Sequence, residues 1–279
     1  MVIDFCMRQN GLKDWLTLLK TCSKRIRKEV MPFFKSPEAS FGFGIGAGGD
    51  AMKRIDLIAE KTLIETIEKE DFSCTLVSEE TGIREIGDNP SNFYVTTDPV
   101  DGTTNATRGI PFVATSIAVS KKPFLSQIET ALVTDLCHNV TYTAERGKGA
   151  DRNGAKIRSS QLQSLEEAVI GVDFTHKAWE IASRLKLMLE KTRHLRHLGA
   201  NALEICYVAD GTTDGFIDLR GKLRVTDIAA AYLILREAGG IITTLDGKEL
   251  NAELAPTQRV SFIATGNKRL HEMIMEQIK

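Results

Sequence analysis

The chain has 279 residues, of which 36 are basic and 37 acidic, for a net charge of −1; 42% are hydrophobic. At roughly 100–200 residues per domain this is one large domain or two lobes, with enough apolar residues for a full core. The even charge balance argues against a dedicated nucleic-acid or membrane-surface binder, and no apolar run reaches the roughly 18 residues of a membrane span.

Residues 1–10 carry Asp4 and Arg8 inside their one apolar patch and do not read as a signal peptide. Residues 12–30 place Leu12, Trp15, Leu16, Leu19 and Ile26 at helical spacing, ending near Pro32. A Gly-rich segment follows over 36–50, then a second amphipathic helix is predicted over 51–70, with Ile55, Ile58, Leu63 and Ile67 on one face. Short apolar runs at 73–77, 93–97, 113–120, 129–135 and 139–144 read as strands, and Arg152-Asn153-Gly154 as a hairpin turn. A mostly antiparallel sheet is therefore expected over about residues 70–160. Beyond it, strands are expected at 168–173, 215–219, 241–245 and 260–264. Helices are expected at 177–191, 200–209, 227–238 and 268–278, with Gly239-Gly240 as a helix stop. This alternation implies layered helices and sheets in two tightly packed lobes, 1–150 and 151–279. The five cysteines, at 6, 22, 74, 137 and 206, are widely spaced with no Cys-x-x-Cys. They read as reduced thiols of a cytoplasmic protein.

The chemistry concentrates in Thr97-Asp98-Pro99-Val100-Asp101-Gly102-Thr103-Thr104-Asn105, just after the apolar Phe93-Tyr94-Val95. Asp98 and Asp101 can both reach one hard cation, because carboxylate oxygens suit Mg²⁺. Gly102, Thr103 and Thr104 then offer backbone N–H groups at a helix start, an anion site. Metal ligands beside a phosphate cradle suit metal-assisted phosphate hydrolysis. Glu79, in Ser78-Glu79-Glu80, ends an earlier strand and can add a ligand. Asp227, in Arg224-Val225-Thr226-Asp227, opens an Ala-rich helix that permits close packing.

Together these three elements resemble the inositol monophosphatase superfamily, closest to archaeal-type enzymes acting on both inositol 1-phosphate and fructose 1,6-bisphosphate. Lys53-Arg54-Ile55-Asp56, Ile110-Pro111-Phe112-Val113-Ala114 and Asp218-x-Arg220 through Arg224 add to the resemblance. It implies an α+β fold, the layered αβαβα sandwich of the sugar phosphatases. It also implies a homodimer and two or three Mg²⁺ ions on Glu79, Asp98, Asp101, Asp227 and the Val100 carbonyl. Thr103, with Glu79, would orient the metal-activated water for in-line attack, Asp101 completing the catalytic set. Expected substrate contacts are Asp101, Gly102, Thr103, Arg196, Ala200, Asn201, Asp218 and Arg220. Three positions depart from the family pattern: Ser78 before Glu79, Thr226 before Asp227, and a longer stretch from Asp218 to Asp227.

Other readings stay open. Gly44-x-Gly46-x-x-Gly49 lacks the preceding buried strand of a dinucleotide fold and reads better as a lid over the site. Arg196 before Gly199-Ala200-Asn201 either faces a substrate or is a surface residue at a helix start. Arg220, Lys222 and Arg224 either grip a second phosphate or form a solvated strand edge. NADP⁺ and 3′-phosphoadenosine 5′-phosphate are alternative substrates, and a non-catalytic regulator is a further class. Retention of all four acidic ligands favours catalysis.

Overall fold

The computed structural model describes residues 14–49, 51–88 and 90–278; the expectations for residues 1–13, including Cys6 and Leu12, lie outside them. Asp14 caps α1 (Trp15–Val30), its Oδ1 accepting from Thr17 N at 3.1 Å, and Trp15, Leu19, Cys22 and Ile26 form its buried stripe. The Gly-rich segment folds back on itself: β1 (Gly42–Ile45) pairs antiparallel with β2 (Ala51–Lys53). Because that hairpin takes residues 51–53, α2 (Arg54–Lys69) begins later than its apolar spacing suggested.

The larger sheet comprises β3 (Cys74–Ser78), β4 (Gly82–Ile86), β5 (Tyr94–Asp101), β6 (Ala114–Ser120), β7 (Ile128–Asp135), β8 (Val140–Glu145), β9 (Ala150–Arg152) and β10 (Ala155–Lys156). Its order is β10-β9-β8-β7-β6-β5-β3-β4, antiparallel except where β3 runs parallel to β5. The short helix α3 (Thr103–Arg108) leaves β5 directly. Asn153 (φ 52°) and Gly154 (φ 82°) turn β9 into β10 with the two positive φ angles of a type I′ hairpin.

The smaller sheet comprises β11 (Val169–Val172), β12 (His194–Arg196), β13 (Gly215–Arg224), β14 (Ile241–Thr243) and β15 (Arg259–Thr265), in the order β12-β11-β13-β15-β14. Its helices are α4 (Ala178–Arg184), α5 (Lys186–Lys191), α6 (Asn201–Ala209), α7 (Val225–Glu237) and α8 (Lys268–Met275). The single helix expected over 177–191 is two, meeting at Leu185, whose backbone (φ −93°, ψ 6°) leaves the helix while its side chain stays buried. β13 outruns its expected end because, past an irregularity after Asp218, it pairs again with β15 (Leu223 with Val260, Arg224 with Arg259).

Alternation along β6 sets the layers. Ile117 and Val119 join Leu76, Val95 and Leu132 beneath α1 and α2, whereas Ala114 and Ala118 face α6 and α7. Small side chains there meet Ala229, Ala230 and Ala231, so α7 lies close against the sheet. α7 is buried continuously from Val225 to Leu235, as a helix held between two sheets must be. Phe216, Ile242 and Phe262 close this core from the smaller sheet. That sheet's outer face, with Ile170, Val172, Ile217 and Ile263, is covered by Ile181, Met188, Leu270 and Ile274 of α4, α5 and α8 and by Leu185 at the α4–α5 junction. The order helix, sheet, helix, sheet, helix is the expected αβαβα sandwich. The larger sheet ends at Lys156 and the smaller begins at Val169, with α6 and α7 in a core common to both.

Candidate metal and phosphate site

Sheet register assembles the acidic residues. β3 and β5 are parallel neighbours with Ser78 opposite Thr97, so the next residues, Glu79 and Asp98, emerge side by side at the same sheet end. Asp227 arrives from the first turn of α7, which packs on β5. Oxygens of Glu79, Asp98 and Asp227 all lie within 4.8 Å of one another, and all three residues are buried. Burial, reinforced by the Asp227 charge, holds the Glu79 carboxyl well above its ordinary range; burial and the charges of Glu79 and Asp101 do the same for Asp98. Such a cluster of hard oxygen donors fits a divalent cation such as Mg²⁺, which would relieve that repulsion.

Asp101 stands beside the trio and is bound otherwise. Its Oδ1 accepts from Asn201 N at 3.0 Å and its Oδ2 from Ala202 N at 2.7 Å, so it caps the N-terminus of α6. Burial, with the Asp227 charge, pushes it up to about 8. The Thr103 hydroxyl lies 3.0 Å from both the Val100 carbonyl oxygen and Asp56 Oδ1, so either can take its one proton. Asp56 in turn accepts from Lys53 N at 2.9 Å; burial first of all raises its carboxyl to about 6. Gly102 has φ 89°, and a Cβ there would come within 3.0 Å of the Phe112 carbonyl and 3.1 Å of Ala200 Cβ. That closeness brings the start of α3 against the start of α6.

A cleft of about 400 Å³ is lined by Asp56, Glu79, Glu80, Asp98, Val100, Asp101, Gly102, Thr103, Thr104 and Asn201 among others. A second, of about 620 Å³, adjoins it and carries Arg220, Lys222, Arg224, Arg259 and His176. His176, Asn201, Arg220, Arg224 and Asp227 line both.

Several expected substrate contacts fall elsewhere. Arg196 is exposed on the edge strand β12, donates to the Leu195 carbonyl and lines neither cleft. Asp218 is fully buried and lines neither; it holds Arg220, whose Nε donates to Asp218 Oδ2 at 3.0 Å and whose Nη2 lies 2.7 Å from Asp173 Oδ2. Ala200 is the buried N-cap of α6. The Gly-rich loop does cover the site, pinned by Ala47 N to the Glu80 carbonyl (2.9 Å) and by Gly48 N to the Glu79 carbonyl (2.6 Å).

Sequence reasoning missed Asp173, His176 and Arg259. None sits in a recognisable motif. The positive φ of His176 (68°) and the pairing of β13 with β15 bring His176 and Arg259 to the cleft, while the pairing of β11 with β13 sets Asp173 behind it, against Arg220.

Residues 17–279 match the inositol monophosphatase family. A fructose-1,6-bisphosphatase/inositol-1-monophosphatase of Methanothermobacter thermautotrophicus is 34% identical, over 98% of this chain and 99% of its own length. A bifunctional NADP phosphatase/NAD kinase of Methanococcus maripaludis is 36% identical, over 94% of this chain and 49% of its own. A crystal structure of an inositol monophosphatase-fructose 1,6-bisphosphatase superposes with a TM-score of 0.84 at 33% identity, covering 95% of this chain and 99% of that one.

Proposed function

The chain belongs to the inositol monophosphatase family, and from that premise we propose that this phosphatase hydrolyses inositol 1-phosphate and fructose 1,6-bisphosphate with Mg²⁺. The observation that carries the reading is the buried Glu79, Asp98 and Asp227 cluster opening onto a cleft rich in cations. When bound, Mg²⁺ would supply Lewis-acid activation of water and charge neutralisation. Glu79, Asp98 and Asp227 would hold it, with Asp101 and the Val100 carbonyl adjacent.

The protein's own groups do the remainder. Thr103 donates its hydroxyl proton to Asp56, leaving oxygen lone pairs to accept from the attacking water and aim it. Gly102, Thr103 and Thr104 line the cleft, and their backbone N–H groups would meet the phosphoryl oxygens. The water oxygen bonds to phosphorus as the P–O ester bond breaks, and a proton from that water passes to the departing oxygen, giving inorganic phosphate and the free hydroxyl of the inositol or fructose phosphate. Asn201 lies on the sugar side, at the junction of the clefts.

A second phosphate needs positive charge that is not already spent. Arg220 is compensated by Asp173 and Asp218. Lys222 makes no ion pair among the described residues, and Arg259 donates to the carbonyl oxygens of Pro256 and Gly48, which leaves its charge intact. Lys222 and Arg259 therefore take the non-reacting phosphate in this reading. The resemblance also carries the count of two or three ions, a homodimer and a cytoplasmic setting. Free thiols at Cys22, Cys74, Cys137 and Cys206 accord with the last. No helix among the described residues is long and apolar enough to cross a membrane.

The test is phosphate release from inositol 1-phosphate, fructose 1,6-bisphosphate, NADP⁺ and 3′-phosphoadenosine 5′-phosphate, with and without Mg²⁺. Mg²⁺-dependent release from the first two is expected. Release from the nucleotides alone would replace the substrate assignment, and no release from any would leave a regulator.

A further inference from the structure

Arg224 closes β13 and caps α7. Its backbone N–H donates to Asp227 Oδ2 at 3.3 Å, its Nε donates to Asp227 Oδ1 at 3.1 Å, and its Nη2 pairs with Glu79 Oε2. One guanidinium thus grips two of the three clustered carboxylates. The side chain is 14% exposed and stands where the two clefts meet. The Gly-rich loop keeps it there: a Cβ on Gly48 would lie 2.9 Å from Arg224 Nη1, 3.0 Å from its Cδ and 3.2 Å from Glu79 Cβ. Gly48 is itself tied through its N–H to the Glu79 carbonyl and through its own carbonyl to Arg259.

On the reading that the cluster takes a divalent cation, we infer that Arg224 is a built-in counter-cation that competes with that ion for Glu79 and Asp227. Like charges repel at such separations, and the buried setting screens them little. The guanidinium therefore yields Glu79 Oε2 as the ion enters and turns toward the adjoining basic cleft. An arginine that merely oriented the ligands would have the opposite effect, because removing it would weaken metal binding.

Calorimetric titration of the metal-stripped full chain with Mg²⁺ separates the two. Arg224→Met, which keeps a stem against Gly48, should tighten Mg²⁺ binding roughly ten- to hundredfold, as expected when a close charge is removed. It should also lower the melting temperature of the metal-stripped protein. Arg224→Lys should bind Mg²⁺ much as wild type does. Unchanged or weaker Mg²⁺ binding by a folded Arg224→Met protein would overturn the inference. Should that variant not fold, the Arg224 Nε–H NMR resonance of wild type gives the answer: it should shift and exchange faster as Mg²⁺ is added, and an unmoved resonance would overturn the inference. No Mg²⁺ binding by wild type at all would remove the metal reading, and this inference with it.

Discussion

Asp98 sits at the centre of three mutually repelling carboxylates, and its Oδ1 also accepts from Val100 N at 3.1 Å. Asparagine keeps that acceptor and removes the charge. Asp98→Asn should therefore lose activity by roughly a hundred- to a thousandfold or more, the scale for removing a group that stabilises transition-state charge. Without metal its thermal midpoint should equal or exceed that of wild type. Steady-state rates and calorimetric melts check both, and near-normal turnover would remove Asp98 from the site. Arg220 and Lys222 separate in the same way. Lys222→Ala should lower kcat/KM for fructose 1,6-bisphosphate roughly ten- to hundredfold, the loss of one charge-assisted contact, and spare inositol 1-phosphate. Arg220→Ala strands Asp173 and Asp218 in the interior. It should cost roughly 3–5 kcal/mol of stability and impair both substrates alike. Urea denaturation beside two-substrate kinetics distinguishes these outcomes. From sequence, Arg220 reads as the phosphate grip because it stands seven residues before Asp227 on the segment leading to a metal ligand; only the pairing of β11 with β13 reveals Asp173 as a partner that compensates it.

At the level of elements, Glu204 on α6 shows a buried carboxyl doing structural duty. Its Oε1 accepts from Leu198 N at 3.1 Å and Gly199 N at 2.9 Å, holding the turn that precedes α6. A Cβ on Gly171 of β11 would meet its Oε2 at 2.8 Å, so that strand needs glycine there. Burial, against those two amides, raises the carboxyl from 4.5 to about 7. Its folded value exceeds its unfolded one, so its contribution is fully present below about pH 4.5 and lost as pH rises through about 7. Glu204→Gln keeps the acceptor without the charge. It should gain stability relative to wild type between pH 5 and pH 8, by roughly 3 kcal/mol at most, in paired urea titrations. The long periodic elements were legible because burial on one face writes itself into the sequence: α1, α2, β6 and β7 lie close to where spacing put them. The β1–β2 hairpin was not, since glycines carry no side-chain pattern. Nor was the break at Leu185, where apolar spacing runs on across two helices. In the site, Glu79, Asp98 and Asp227 were legible because each lies near a strand end or opens a helix within a compact motif. The partners of Arg220 and Arg224 depend on which distant strands and loops meet, and short-range spacing is silent about that.

For the whole molecule, metal binding and stability are linked. A ligand that binds only the folded chain at a hundred times its Kd adds about 2.7 kcal/mol. Saturating Mg²⁺ should therefore raise the melting temperature by several degrees, and a chelator should reverse the shift in the same scan. An unchanged melt across a range of Mg²⁺ concentrations would show that the ion does not engage the fold.

The placement of α7 also has a consequence for how the protein comes into being. Glu79 and Asp98 belong to the sheet made first, whereas Asp227 rides on a helix clasped between both sheets and becomes available only when the later sheet docks. A nascent chain emerges from its N-terminal end, so for much of its synthesis it holds two carboxylates of the trio and none of the third. An ion that needs all three cannot reward a half-made molecule. It would fasten only a chain whose two sheets have already found each other.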